Sequence, residues 1–201
     1  MKRILLSAIA ALALCTVGYA QDFGFKKGSK FVEGNLSYGS GREDDAKYTM
    51  FKINTNLGYF LSEKFAIGPT AYIVDYHRLI DENPKVHVVT AGVFGRYYFL
   101  NLGKRFKTYA EIASSYENVQ ISTLINGFET EEPTNHGLNI FGSLGANYFI
   151  TPKIALSLTL GDILYLYTSK SDQGESTFFS VDVNSLYNNF SSSNFGLTYK
   201  F

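Results

Sequence analysis

Apolar and polar residues alternate with a period of two along most of the chain from residue 30 onward. Successive side chains of a β-strand point to opposite faces, so this period predicts strands with one apolar and one polar face. The pattern predicts eight of them, over about 31–38, 50–59, 65–74, 88–99, 109–117, 138–150, 154–160 and 195–201. No segment combines a sustained 3.6-residue period with a helix cap, so the chain is predicted to be all-β.

The last predicted strand carries bulky apolar residues on one face, namely Phe195, Leu197, Tyr199 and Phe201. In water such a face needs a second protein layer, whereas in a membrane lipid covers it. An even number of strands with apolar outer faces predicts an eight-stranded antiparallel up-and-down transmembrane β-barrel. In the third strand both parities are apolar, and we favour Ile67, Ala71 and Ile73 as the outward set.

The connections between the predicted strands alternate in length. Short turns are expected at 61–64, 100–105 and 151–153, and long loops at about 39–47, 76–85, 117–135 and 168–189. Outer-membrane barrels have short periplasmic turns, longer extracellular loops and aromatic girdles at both interfaces. Aromatic residues flank every short turn, and we assign them to the membrane girdle: Tyr59, Tyr97, Phe99, Tyr148 and Tyr199, together with their neighbours Phe60, Tyr98 and Phe149.

The inward faces are polar and partly charged. An eight-stranded barrel has a lumen only just wide enough for its own side chains, so we expect the lumen to be filled. Arg96 and Glu111 face each other across the turn at 100–105, which predicts a buried ion pair. Glu33 and Lys52 are expected to join it as further members of a lumen polar network.

The first twenty residues have the pattern of an export signal. Lys2 and Arg3 precede an apolar run, and small residues precede a predicted cleavage site before Gln21. The expected organisation is a signal peptide at 1–20, a periplasmic segment at 21–29 and an outer-membrane barrel at 30–201. Removal of the signal takes away Cys15 and leaves a net charge of −2, because two basic residues are lost from a neutral chain. This near-neutral balance argues against nucleic acid as a partner.

Acidic residues collect in the predicted long loops, from Glu43 to Glu175, and basic residues collect near the short turns. Two interpretations stay open: a solvated loop surface, or carboxylates that hold divalent cations bridging lipopolysaccharide phosphates. No loop has the spacing of a dedicated calcium site, so neither a metal site nor a cofactor is predicted.

Two other function classes are less favoured by the sequence. A lipocalin-like carrier has eight strands but needs an apolar cavity, and the chain lacks Trp. A lipid-modifying enzyme needs a nucleophile or base grouped with His. None of His77, His87 and His136 has a Ser two residues away on the same strand face, so no catalytic residue is predicted.

Four segments resemble those of the small outer-membrane β-barrel family of the OmpX and OmpA-barrel type: FGRYYF, YAEIASSYE, YFITPKIALS and the terminal FGLTYKF. The resemblance implies a non-enzymatic surface barrel with a role in membrane integrity or adhesion. It also implies partners: outer-membrane lipids and lipopolysaccharide, a possible surface ligand, and the assembly machinery, which would read the last strand and Phe201. A narrow pore remains the alternative.

Overall fold

The computed structural model describes residues 23–43, 46–79, 84–125, 128–131, 135–171, 174–181 and 194–201. Within these ranges no helix is long and apolar enough to cross a bilayer. The predicted signal peptide lies outside the described residues. The strands are β1 (Lys30–Glu43), β2 (Ala46–Phe60), β3 (Phe65–Leu79), β4 (Lys85–Leu102), β5 (Phe106–Ile125), β6 (Phe128–Glu131), β7 (Asn135–Phe149), β8 (Ile154–Ser171), β9 (Gly174–Val181) and β10 (Asn194–Lys200).

Eight strands close into a cylinder. β1, β2, β3, β4, β5, β7 and β8 follow one another around the wall, and β10 pairs with both β8 and β1. Every pairing is antiparallel. The predicted fold, an up-and-down antiparallel barrel of eight strands, is confirmed. The remaining two strands extend the wall, since β6 pairs with the end of β5 and β9 pairs with residues 164–171 of β8.

The outer surface of the cylinder is apolar. Val93, at the middle of β4, is 62% exposed, and Leu197 on β10 is 56% exposed. Their strand neighbours of opposite parity face inward, and Arg96 and Thr198 are among the buried polar residues. On β3, Ile67 is exposed while Ala66 and Thr70 are buried, which agrees with the favoured facing. A belt of exposed apolar side chains around a polar interior is the arrangement that lipid stabilises.

The turns at one rim are short, as predicted. β2 and β3 are separated by residues 61–64, and β7 and β8 by residues 150–153. The turn between β4 and β5 is shorter than predicted, because β4 continues to Leu102. Gly103 there has φ of +67°, a left-handed conformation that glycine adopts without steric cost.

Two irregularities bend the wall. In the first, the register between β7 and β8 shifts, since Gly142 pairs with Leu164 but Gly145 pairs with Thr159. A second shift, which the sequence pattern does not predict, leaves Phe99 between the pairs formed by Tyr98 and Leu100. Such bulges add one residue to a strand and increase its local twist.

The predicted long loops at the other rim are largely strand, so that prediction is wrong. β1 continues to Glu43 and β2 begins at Ala46, leaving only two residues between them. Strands β1 to β5 have 14 to 20 residues, although about 9–11 tilted residues cross the hydrocarbon core. The hairpins therefore continue beyond the apolar belt. The predicted loop at 168–189 also contains β9, which lies along β8 in line with β10.

Candidate functional site in the barrel lumen

The guanidinium of Arg96 lies at the centre of the lower lumen, the half nearest the short turns. Its Nη2 and Nη1 donate to Oε1 and Oε2 of Glu33 at 2.6 and 3.0 Å, and its Nε donates to Oε2 of Glu111 at 2.7 Å. The ring of Tyr109 packs on the guanidinium, with its centroid 3.9 Å from Cζ. Arg96 and Glu33 are fully buried. Bidentate pairing of this kind has the best geometry available to a buried ion pair.

Further side chains complete the hydrogen bonding of Glu33. Thr198 Oγ1 on β10 donates to Oε2 at 2.7 Å, and the amide nitrogens of Asn56 and Asn147 lie 3.4 Å from the carboxylate. Tyr98 Oη in turn donates to Oδ1 of Asn147 at 2.8 Å. Buried charges are tolerated when they are paired and hydrogen-bonded, and this cluster meets both conditions.

An aromatic layer lies between the charged cluster and the short-turn rim. Phe31, Phe60, Tyr98 and Phe149 point inward and are buried. Phe25, from the segment that precedes β1, stacks on Phe60 with centroids 4.3 Å apart and contacts the other three rings. Phe60, Tyr98 and Phe149 therefore do not belong to the interfacial girdle to which their position beside the turns assigned them.

Residues 23–29 are held in the barrel mouth by polar contacts as well. Lys200 Nζ donates to the carbonyl of Gly24 at 2.6 Å, and Gly28 N donates to the carbonyl of Phe60 at 2.8 Å. Arg105 lies over the ring of Phe23 at 4.6 Å. Sequence reasoning missed this contribution, because a short segment without alternation carries no periodic signal.

Two glycines make room for rings of the lower lumen. A Cβ on Gly58 would collide with the ring of Phe31, and a Cβ on Gly145 would collide with the ring of Tyr109. Both glycines are buried and inward in their strands. The absence of a side chain at these positions lets the rings lie flat against the wall, and Tyr109 reaches the guanidinium from there.

Lys52 does not join the charged cluster. It lies on β2 four residues from Asn56, on the side away from the short turns, and forms no ion pair within the described part of the chain. It lines a cavity of about 480 Å³ in the upper lumen together with polar side chains of the facing wall. The expectation of a lumen filled throughout therefore holds for the lower half only.

The residues predicted to form the girdle point outward. Tyr59, Tyr97, Phe99, Tyr148 and Tyr199 are each between 40% and 47% exposed, and all lie near the short-turn rim. Phe201 is also exposed, and its backbone nitrogen donates to the carbonyl of Lys30 at 3.0 Å. The last residue is thus fixed to the first strand through its backbone while its side chain stays on the outer surface.

The histidines lie apart from the lumen cluster. On the upper outer wall, Nδ1 of His87 is 2.6 Å from Oδ1 of Asp75, its cross-strand neighbour. His77 is the next outward residue on β3, and the ring of His136 stacks on Tyr116 at 5.8 Å. Within the described ranges, no three His, Cys, Asp or Glu residues are grouped so that they could hold a metal ion.

A closed antiparallel cylinder with an apolar outer belt and a polar interior defines the class: the chain is a small β-barrel of the outer-membrane type. No protein-family model matches the chain, and no curated protein matches its sequence.

Solved structures with a similar architecture include outer membrane protein OprG from Pseudomonas aeruginosa, with 14% identity, 89% of this chain and 98% of that chain covered, and a TM-score of 0.47. Neisserial surface protein A has 14% identity over 87% of this chain and 99% of its own, with a TM-score of 0.47. Ail, the attachment invasion locus protein of Yersinia pestis, has 12% identity over 87% and 99%, with a TM-score of 0.45.

Proposed function

We propose that the protein is a non-enzymatic outer-membrane barrel that does not conduct ions and acts as a structural or adhesive element of the cell surface. One observation carries the proposal: the lower lumen is occupied across its width by the Glu33, Arg96 and Glu111 cluster and by the aromatic layer next to it. A polar lumen in an eight-stranded barrel is expected to be packed with side chains and not to form a channel.

The contacts of the cluster explain why the lower lumen would stay closed to ions. Moving Arg96 aside breaks its bonds to two carboxylates and leaves charges unpaired in a site shielded from water, which is costly. Phe25 adds a second barrier on the periplasmic side, because its ring contacts four aromatic side chains around the mouth. An ion would have to displace both layers in order to pass.

Conductance in planar bilayers tests this function. Purified protein inserted into the bilayer should give no steady current, while a conducting porin added to the same membrane supplies the positive control. Steady single-channel currents from the parent protein would favour the second candidate, a narrow pore. The cavity above the cluster is the observation that speaks for that candidate, since it leaves only the lower half of the lumen to be opened.

Export and processing belong to the same proposal. Residues 1–20 would direct secretion and be removed before Gln21, residues 21–29 would form the periplasmic mouth segment, and residues 30–201 would form the barrel. The intact mass of protein purified from outer membranes measures the cleavage site directly. A mature chain that begins elsewhere than Gln21 would change the first of these boundaries.

The proposed partners are outer-membrane lipids and lipopolysaccharide around the wall, the assembly machinery at the last strand, and a surface ligand at the upper ends of the hairpins. The hairpins are suited to surface contact because their strands continue past the apolar belt. Cells with and without the protein should differ in binding to immobilised host matrix if the role is adhesive. If the role is membrane integrity, they should differ instead in resistance to detergent.

A further inference from the structure

The upper lumen, on the side of the charged cluster away from the short turns, contains a cavity lined by many polar side chains. Its volume is about 480 Å³, which is large enough for several water molecules or for a mono- or disaccharide. Amide and hydroxyl side chains from many strands line it, among them Asn35, Asn54, Asn56, Thr70, Thr90, Ser115 and Asn139. Leu36 and Phe195, which are exposed on the outer surface, also border it. The Glu33, Arg96 and Glu111 cluster lies below it.

One wall of the cavity is already arranged by hydrogen bonds. Asn139 Nδ2 donates to Oε2 of Glu117 at 3.1 Å, and Tyr165 Oη donates to Oδ1 of Asn139 at 3.2 Å. These three groups face the cavity from β5, β7 and β8. A row of fixed donors and acceptors can bind hydroxyl groups with little further loss of side-chain entropy.

Other lining groups have unused hydrogen-bonding capacity. Asn35 Oδ1, Asn56 Oδ1, Thr90 Oγ1 and Ser115 Oγ are buried, and none has a protein partner within the ranges that the structure describes. Buried polar atoms are normally hydrogen-bonded, so these atoms call for a polar occupant. Thr90 and Ser115 are both more than nine-tenths buried.

The charges of the lining favour a neutral occupant. Glu111 is paired with Arg96, so the other charged residues of the lining are one of each sign: Lys52, and Glu117, which accepts a hydrogen bond from Asn139. Tyr72, Phe141 and Tyr165 also line the cavity, and their rings supply the apolar faces on which the C–H face of a sugar ring can pack. The composition combines hydroxyl and amide groups with aromatic rings.

We propose that this cavity is a binding site for a small neutral polyhydroxylated molecule of mono- or disaccharide size. The charged cluster and the aromatic layer close the periplasmic side, so the site holds its ligand without passing it through the barrel. This ligand class is independent of whether the barrel is structural or adhesive.

Equilibrium dialysis of the folded protein in detergent tests the site, with radiolabelled glucose and maltose as probes and glucuronate and glucosamine as charged comparators. Saturable binding of a neutral sugar is expected, with weaker binding of both charged sugars. No saturable binding of either neutral sugar at 10 mM, about ten times the concentration that a millimolar site requires, would overturn the proposal. Preferential binding of glucuronate would also overturn it, because the ligand would then be an anion held by Lys52.

Two variants localise the binding. Thr90→Val keeps the side-chain shape and removes the hydroxyl group, so affinity should fall roughly three- to tenfold. Ser115→Leu fills the cavity and should abolish binding, whereas Ser114→Leu, at the neighbouring outward position of β5, should leave it unchanged. Folding of each variant is checked by its heat-modifiable migration in gels. If folded Thr90→Val and Ser115→Leu bind like the parent, the sugar does not occupy this cavity.

Discussion

Arg96 and Glu33 are 63 residues apart in the sequence and form a two-pronged ion pair inside the barrel, with nitrogen–oxygen distances of 2.6 and 3.0 Å. Glu111, directly opposite Arg96 on β5, uses the remaining Nε. The guanidinium is therefore held by two carboxylates, one near in sequence and one distant. Both contacts are shielded from water, so neither is weakened by solvent as a surface pair would be.

Loss of the guanidinium should strongly destabilise the barrel. Arg96→Met leaves two carboxylates close together without their cation, and the free energy of unfolding should fall by about 3–5 kcal/mol. Urea titration in lipid vesicles measures this change. Lys52→Met serves as the matched control, because Lys52 also lines the lumen but forms no ion pair among the described residues; its effect should stay within about 0.5 kcal/mol. Equal stability of Arg96→Met and the parent would refute the role of the pair.

Neutralising the entire cluster should cost less than removing its cation. In the triple variant Arg96→Met, Glu33→Gln, Glu111→Gln no buried charge is left unpaired, so much of the stability lost in Arg96→Met should return. The same urea titration compares the two variants side by side. A triple variant less stable than Arg96→Met would mean that the hydrogen bonds of the carboxylates, and not charge pairing, hold the cluster together.

Phe25 should stabilise the barrel from outside its strands. Phe25→Ala removes a ring that contacts Phe31, Phe60, Tyr98 and Phe149, and should cost about 1.5–3 kcal/mol. Leu61→Ala, an exposed turn position at the same rim, is the control and should change little. Conductance of Phe25→Ala should remain absent, because the Arg96 cluster still occupies the lumen. Steady current in this variant would show that the aromatic layer alone closes the barrel.

An added methyl group at Gly145 should disturb the cluster indirectly. The Cβ of Gly145→Ala meets the ring of Tyr109, which must shift away from Arg96, at a cost of about 1–3 kcal/mol. At Gly95, on the outer face of β4, a Cβ meets its nearest neighbour, Phe65, at an ordinary 3.6 Å. Gly95→Ala should therefore be neutral in the same unfolding measurement, and similar losses in both variants would contradict the close packing of Tyr109.

The lipid-facing wall can be tested at Val93. A charged side chain at the middle of the wall has to enter hydrocarbon. Val93→Arg should therefore make folding into vesicles less favourable by about 2–4 kcal/mol. Val93→Leu should fold like the parent. If Val93→Arg folds equally well and stays monodisperse without detergent, the wall faces water and the membrane assignment fails.

A substitution of Phe201 can distinguish an effect on assembly in cells from an effect on the stability of the folded barrel. Its side chain is 69% exposed, while its backbone carries the contact with Lys30. Phe201→Ala should therefore refold in detergent like the parent but accumulate less in the outer membrane, if the assembly machinery reads this ring. Outer-membrane levels determined by immunoblotting make the comparison. Unchanged levels would remove Phe201 from the proposed assembly signal.

The strand faces could be predicted because side-chain direction in a strand depends only on parity. The same rule contained the signal for Phe60 and Tyr98, which have inward parity, yet their position beside turns suggested an interface role. Phe25 could not be predicted, because no periodicity links it to the rings that it contacts. The heights of Lys52 and Glu33 in the lumen depend on strand tilt and register, which the order of residues does not reveal.

The carboxylate of Glu33, on the first strand, accepts a hydrogen bond from Thr198 of the last strand. It also forms an ion pair with Arg96 from the middle of the chain. A half-formed sheet that contains β4 and β5 would already pair the guanidinium with Glu111, but Glu33 would lack Thr198 of the last strand. The final join between the two ends of the polypeptide is therefore also the step that completes the hydrogen bonding of the Glu33 carboxylate. Closing the ring and satisfying this buried anion are a single event.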